Sequence, residues 1–299
     1  MEKLLITGGT GFLGRNIVPT LKQSYNITLC GITPLDDIQV NLAKEVPELP
    51  EVYDVVFHAA GKAHVIPKTE EEKQAFFDVN LQGTKNLCAA LEKKGLPKSF
   101  IFVSTVAVYG CEEGEDINEK HPLNGTTPYA LSKIQAEYFL TEWCKKHNVV
   151  LSIIRPSLIA GPNPPGNLGA MIAGIKSGKY LSIGGGKARK SVLMVNDIPI
   201  LINFLKNKGG VFNVCDDSQP SFKELEESIS LQLGGKKVIG IPLWFATICA
   251  KVGDLLGSKA PINTLKLSKI TKSLTFSNAK AKTELGWQPL EVVANFKIS

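Results

Sequence analysis

The chain has 299 residues, enough for roughly two domains or one large one. Its 43% hydrophobic and 21% charged content excludes global disorder. The net charge of +6 comes from 34 basic and 28 acidic residues, and only Arg15, Arg155 and Arg189 are arginine. Nucleic-acid surfaces lean on arginine for bidentate contacts and stacking, so no nucleic-acid partner is expected. The excess is local, because residues 251–299 hold eight lysines and three acids, a net of 8 − 3 = +5. The six cysteines are scattered without a CxxC pair, which fits a reducing compartment and gives no metal framework. The opening Met-Glu-Lys-Leu-Leu-Ile runs straight into glycines, so no signal peptide is expected. The longest apolar stretch, Val238 to Leu256, is interrupted by Pro242, Lys251 and Asp254 and falls short of the ~20 clean residues a bilayer span needs. A soluble, cytoplasmic protein is the expectation.

Taken in chain order, Lys3–Thr7 is a short apolar run that leads through glycines into a helical pattern at Phe12–Leu21. Further short runs follow at Asn26–Ile32 and Ile38–Leu42, then Asp54–Phe57 and Phe100–Val103. Glu72–Lys94 reads as one helix anchored by Phe76, Val79, Leu87 and Leu91, and Thr127–Lys146 as another. Val149–Ile154 is apolar and β-branched, and Val211–Val214 looks like a strand returning to the same sheet. Strands alternating with helices of this length predict a Rossmann-type doubly wound parallel α/β sheet covered on both faces. The glycine- and proline-rich stretches at 161–166 and 184–186 mark a change of texture, and the chain is mostly helical from Ser221. The predicted organisation is a nucleotide-binding domain over 1–160, rejoined by a return segment at about 191–217. A smaller, helix-rich substrate-binding region spans 161–299, mainly 161–190 and 218–299.

Two local motifs carry chemistry. Gly8, Gly11 and Gly14 stand between the first strand and the first helix, where a tight turn lets backbone approach a pyrophosphate at a helix N-terminus. Tyr129 and Lys133 lie at i, i+4 on one helix face. A tyrosine is a poor acid–base catalyst near neutrality, and a neighbouring ammonium lowers its pKa by stabilising the phenolate.

The ordered set TGGTGFLG, VFHAAG at 56–61, VNLQGT at 79–84, FVSTVAVYG at 102–110, YALSK at 129–133 and RPSLIAGP at 155–162 resembles the extended short-chain dehydrogenase/reductases of the NAD-dependent epimerase/dehydratase group. The resemblance runs through nearly the whole chain, to the LGWQP ending at 285–289. It implies Thr105, Tyr129 and Lys133 as the catalytic set. Thr105 would hydrogen-bond the reacting oxygen, Tyr129 would move the proton, and Lys133 would hold the nicotinamide ribose. The implied cofactor positions are Gly8, Gly11, Phe12, Leu13, Gly14, Asn41, Leu42, Ala59, Ala60, Gly61, Asn80, Tyr129, Lys133 and Pro156. Asn80 would support the lysine from within a helix, and His58 is expected to be packed. Substrate contacts are implied for Ser104, Thr105, Asn167, Leu168, Arg189 and Lys190, the last two as alternatives for gripping a diphosphate. Relatives often dimerise through the helices near 72–94 and 127–146, so a homodimer is implied as well.

Two departures from the family pattern matter. Sugar 4,6-dehydratases follow the Thr with an Asp-Glu pair, whereas this chain has Val106-Ala107, which cannot exchange protons. The second strand ends Leu29-Cys30-Gly31-Ile32-Thr33, with neither the acid of NAD-preferring relatives nor the Arg of NADP-preferring ones. Asp36 and Asp37 follow closely, and NAD is the expected cofactor, with NADP not excluded. The resemblance implies oxidoreduction at C4 of a nucleotide-linked sugar, foremost a UDP-sugar 4-ketoreductase of polysaccharide biosynthesis, with a 4-epimerase as the alternative. A non-catalytic NAD(P)-sensing regulator and an enzyme for steroid-like or phenolic alcohols are the remoter readings. The three arginines are expected where an anionic cofactor or substrate binds, and the C-terminal lysines on a solvated face.

Overall fold

The computed structural model describes residues 1–63, 65–256 and 262–298. Seven strands form the central sheet: β1 Glu2–Thr7, β2 Tyr25–Gly31, β3 Ile38–Gln39, β4 Val55–His58, β5 Ser99–Val103, β6 Val150–Pro156 and β7 Gly210–Val214. All neighbours pair in parallel in the order β7-β6-β5-β4-β1-β2-β3. The order reverses between β1 and β4, which opens a crevice at the carboxyl ends of those strands.

Alternate strand residues point to opposite faces, and each face has its own core. Leu4, Ile6, Phe57 and Ile101 pack on one side, while Leu5, Val56, Phe100 and Phe102 pack on the other. The helices of eight or more residues are α1 Phe12–Leu21, α2 Glu70–Phe77, α3 Gly83–Lys94, α4 Pro128–His147, α5 Gly166–Lys176, α6 Asp197–Lys208, α7 Phe222–Gln232, α8 Leu243–Leu256 and α9 Thr264–Thr271. α1 and α6 cover the first face, where Ile17, Ile198, Leu201 and Ile202 are buried. α3 and α4 cover the second with Leu87, Leu91, Leu140 and Trp143. Outside the sheet, Leu158–Ala160 pairs with Val192–Met194, Leu181–Ile183 with Ile239–Ile241, and Gly114–Ile117 with Leu274–Phe276.

The structure differs locally from the sequence reading. The helix expected over 72–94 begins at Glu70, because the Thr69 hydroxyl caps it by accepting from Glu72 N at 3.2 Å. It is then broken by a π-turn at Asp78–Gln82, where the Thr84 hydroxyl donates back to the Asn80 carbonyl at 2.6 Å. Asp54 does not join β4: its carboxylate accepts from the Lys3 N–H at 2.9 Å and pairs with Lys98. The third strand stops at Gln39, ahead of a turn in which Asn41 Oδ1 accepts from Ala43 N at 3.0 Å. All six cysteines are free, and among the described residues no helix is long and apolar enough to cross a membrane.

Candidate active site

β1, β4 and β5 are parallel neighbours, so the residues that end them, Thr7, His58 and Val103, lie along one edge of the sheet. The glycine turn leaves β1 there. Gly8 has φ +73°, and a Cβ on it would stand 2.7 Å from the Ala60 backbone nitrogen. A Cβ on Gly14 would stand 2.3 Å from Gly9 O, so helix and turn touch backbone to backbone. Gly9, to which the motif spacing assigns no role, is as closely packed: a Cβ on it would meet Leu29 Cδ2 at 2.6 Å. No side chain caps the N-terminus of α1, and its first turn carries no acid. Its N–H groups are therefore left for an anion.

A buried chain of hydrogen bonds braces this edge. Thr84 Oγ1 spends its proton on the Asn80 carbonyl, so it accepts from His58 Nε2 (2.9 Å). That fixes the ring proton on Nε2 and leaves Nδ1 to accept from Thr7 Oγ1 (2.6 Å), which in turn accepts from Ala60 N–H (3.1 Å). Burial, reinforced by the Lys133 charge, lowers the His58 pKa to about 3, so the ring is neutral and structural. Asn80 itself is fully buried. Its Oδ1 accepts from Lys62 N at 2.7 Å, and its Nδ2 donates to Ser132 Oγ at 2.9 Å. The π-turn thus ties the 59–62 segment to α4.

The reactive side chains meet where β5 ends. Thr127 caps α4 by accepting from Ala130 N, with Pro128 as its first residue, so Tyr129 and Lys133 fall on consecutive inward turns. The Lys133 ammonium donates to Val103 O at 2.9 Å and sits 4.6 Å from the centre of the Phe102 ring. Burial lowers its pKa to about 8, partly opposed by Glu137. Thr105 Oγ1 accepts from Ala107 N at 3.1 Å, which leaves its proton for an oxygen facing the crevice. Burial raises the Tyr129 pKa, and the Thr105 hydroxyl partly offsets it by stabilising the phenolate. The lysine is committed to a carbonyl, and the phenol stays protonated near neutrality.

Behind this cluster lies a group the sequence reading missed. Glu137, one turn beyond Lys133, forms an ion pair with Arg155 in which both side chains are about 5% exposed. Arg155 also donates to Tyr109 OH at 3.0 Å, and Tyr109 donates to Asn213 Oδ1 at 2.6 Å. The signal for Glu137 was its i+4 spacing from Lys133, which extends the Tyr129–Lys133 stripe.

The expected substrate residues do not all come together. Ser104 is buried and its hydroxyl donates to Glu137, so it faces away from the crevice. Leu168 is packed with Met171 and Ile175, leaving only Asn167 of that pair exposed. Arg189 is exposed and donates to the Ser218 and Gln219 carbonyls at 3.2 and 2.9 Å. Lys190 is half-buried and donates to Lys272 O at 2.9 Å, with burial and then Lys269 lowering its pKa to about 8. Arg155 overturns the expectation that all three arginines meet an anionic ligand, because its partner is Glu137. Arg15 is exposed just after the glycine turn. Pro156 is buried at the end of β6. Leu42 is buried, with its carbonyl accepting from Asn86 at 2.7 Å, and Ala59, Ala60 and Gly61 line the edge beside Gly8 and Lys133.

Among the described residues, two buried oxygens at this edge have no partner, Asp36 Oδ1 beyond β2 and Ser157 Oγ just after β6. The other Asp36 oxygen accepts from Thr33 N and Oγ1, at 2.9 and 2.8 Å. An orphaned carboxylate oxygen one turn past β2, a glycine cradle and an uncapped helix N-terminus fit a dinucleotide.

Fold and site together define a dinucleotide-binding α/β protein of the short-chain dehydrogenase/reductase class. The model of the NAD dependent epimerase/dehydratase family matches residues 4–215. The N-acetyl-alpha-D-glucosaminyl-diphospho-ditrans,octacis-undecaprenol 4-epimerase of Escherichia coli O157:H7 is 30% identical, over 93% of this chain and 88% of its own. The UDP-glucose 4-epimerase of Vibrio cholerae is 28% identical, over 96% and 91%. RMD from Pseudomonas aeruginosa, solved with NADPH, superposes with a TM-score of 0.73 at 22% identity, covering 98% of this chain and 95% of that one. The chain belongs to the NAD-dependent epimerase/dehydratase family, and is an NAD(P)-dependent enzyme of the extended short-chain dehydrogenase/reductase type.

Proposed function

We propose that the chain catalyses oxidoreduction at C4 of a sugar carried on a diphosphate, run as 4-ketoreduction of a UDP-linked 4-keto sugar. The observation that carries this reading is the Thr105–Tyr129–Lys133 cluster followed by Val106-Ala107. It offers one proton donor and no second acid–base pair, so elimination of water has no agent. NAD(P)H, when bound, supplies the hydride. Thr105 polarises the keto oxygen with the proton its Ala107 contact leaves free. Tyr129 donates the proton that completes the alcohol; burial keeps the phenol in its acid form, which is the form reduction needs. Lys133, held on Val103 O, supplies a fixed positive charge and a donor for the nicotinamide ribose. The unpartnered Asp36 Oδ1 would accept from the adenosine ribose, and Gly8, Gly11 and Gly14 would leave room for the pyrophosphate. Asn167, Arg189 and Lys190 are the residues left for the substrate diphosphate.

A second reading, 4-epimerisation, is favoured by the two relatives above, both named 4-epimerases and both similar along more than nine-tenths of this chain. One carries its sugar on a lipid diphosphate by name and the other on a nucleotide. The test is incubation of the purified protein with NADH or NADPH and UDP- or dTDP-linked 4-keto sugars, following absorbance loss by the cofactor. Net oxidation of cofactor establishes the reductase. Interconversion of UDP-sugars or of a polyprenyl-diphosphate-linked sugar without net oxidation establishes the epimerase, and neither outcome with any substrate sinks both.

A further inference from the structure

Helix α8 is inside out. Its small residues Ala246, Ala250 and Gly253 are buried, the two alanines packing with Leu267 of α9. Its large apolar residues face outward: Trp244 is 66% exposed, Ile248 54%, Val252 52% and Leu255 88%. Residues 244, 248, 252 and 255 recur at helical spacing, so they form one continuous stripe opposite the buried one. Ordinary surface helices bury the large side chains and expose the polar ones, and a contiguous exposed apolar stripe marks a surface that meets something.

The charge around the stripe identifies what it meets. Residues 236–272 contain seven lysines and one acid, Asp254, a net of 7 − 1 = +6. That equals the net charge of the whole chain, so everything outside this stretch sums to zero. Lys251 lies on α8 itself and is exposed, as are Lys236, Lys237 and Lys269. A two-fold contact with a second copy would oppose two such segments, whereas an anionic lipid surface complements them. Lys272 is paired with Glu113, and the charge that counts is that of Lys251 on the helix and the exposed lysines of its flanking segments. An apolar face with a tryptophan and a lysine whose stem can lie along hydrocarbon, flanked by further lysines, is the pattern of a helix lying in a bilayer interface. The helix also adjoins the segment with the candidate diphosphate cations: Leu243 Cβ lies 3.4 Å from where a Cβ of Gly184 would stand.

We infer that the outward face of α8 docks this protein on an anionic bilayer surface, with Trp244, Ile248, Val252 and Leu255 in the interface and the surrounding lysines over lipid headgroups. The inference goes beyond the redox chemistry proposed above and is tested separately from it. Of the three tryptophans, Trp143 and Trp287 are buried, so Trp244 reports on this face. Vesicles of phosphatidylethanolamine and phosphatidylglycerol should shift its emission to the blue, shield it from acrylamide and carry the full chain upward in a flotation gradient. The variant W244Q/I248Q/L255Q should lose vesicle partition by about tenfold or more. K251E/K269E, which leaves the apolar face intact, should lose a similar factor, and added salt should weaken wild-type binding. Tyr129→Phe should bind vesicles like the wild type, so loss of docking and loss of redox chemistry are read apart. Unmoved emission with no flotation overturns the inference, as does equal binding by both variants. It is also overturned if Trp244 is already shielded without lipid in a dimer that W244Q/I248Q/L255Q dissociates, which makes the face a self-association surface.

Discussion

Glu137 and Arg155 meet in a two-point ion pair directly behind the reactive cluster, with Nη2 to Oε2 at 2.5 Å and Nε to Oε1 at 3.1 Å. Ser104 donates to the same carboxylate, and the Glu137 charge also supports the Lys133 cation. One carboxylate therefore holds the end of β5, the end of β6 and the centre of α4 in a fixed relation. Burial disfavours the Arg155 cation, but the pairing more than offsets it and holds its pKa above the ordinary value.

Glu137→Gln is expected to destabilise the fold by about 3–5 kcal/mol, because it leaves a guanidinium buried without its counter-charge. The double variant Glu137→Gln/Arg155→Met should recover most of that loss, since no charge is then stranded. Urea unfolding of the three proteins decides it, and an unchanged midpoint for Glu137→Gln refutes the argument.

Tyr129→Phe should lower kcat by about 10²- to 10⁴-fold while leaving the folded structure intact, because the proton donor is removed and the ring is kept. Thr105→Val should act in the same direction through the lost polarisation of the keto oxygen, with Thr105→Ser retaining most activity. Turnover of a 4-keto sugar by Tyr129→Phe at the wild-type rate rules out the proposed role.

Lys133 makes stability depend on pH in a defined direction. Its pKa falls from 10.5 unfolded to about 8 folded. Between those values the unfolded chain binds the extra proton, so stability rises with pH from about 8 to 10.5. The burial cost is present in full below pH 8, at about 3 kcal/mol. Lys133→Met should remove that rise, and equal slopes of unfolding free energy against pH for the two proteins would count against it.

How much of this was legible in the sequence follows from the range of the interactions. The glycine turn and the Tyr129–Lys133 pair are local patterns, fixed by a strand, a tight turn and a helical period, and spacing alone reveals them. Ser104 adjoins Thr105 in sequence, but the alternation of an extended chain turns it to the opposite side, onto Glu137. The Arg155 partner and the brace from Thr7 through His58 to Asn80 join segments 18 to 51 residues apart, which no local pattern encodes. The break at Asp78–Gln82 hides inside a good helical period, because one inserted residue leaves the apolar spacing on either side intact. For α8 the sequence shows only an interrupted apolar stretch, Val238 to Leu256, and not that Ala246, Ala250 and Gly253 are the residues that face inward.

Gly14→Ala tests the backbone contact under the phosphate turn. A Cβ there would lie 2.3 Å from Gly9 O and 2.4 Å from Gly9 C, so the turn itself must move. A cost of about 1–3 kcal/mol in stability and at least tenfold in cofactor affinity is expected. Gly11→Ala should be milder, because its added carbon meets Gly8 O at 3.3 Å. Calorimetric titration with NADH and NADPH compares the two, and a reversed order would contradict the structure.

Asp36 decides which dinucleotide the site prefers. Its Oδ2 is spent on Thr33, while Oδ1 is buried beside Gly31 without a partner. A carboxylate in that state gains an acceptor's hydrogen bond from a ribose hydroxyl and repels a phosphate in the same place. The wild type should therefore bind NADH more tightly than NADPH. Asp36→Asn should weaken NADH by roughly tenfold, the value of one hydrogen bond to a charged acceptor. It should also narrow the gap to NADPH, because the repulsion goes with the charge. The Thr33 contacts can be kept by the amide oxygen, so thermal stability should change little. Fluorescence titration of both cofactors against both proteins reads the result, and an unaltered NADH to NADPH ratio in Asp36→Asn shows that the orphaned oxygen plays no part in cofactor choice.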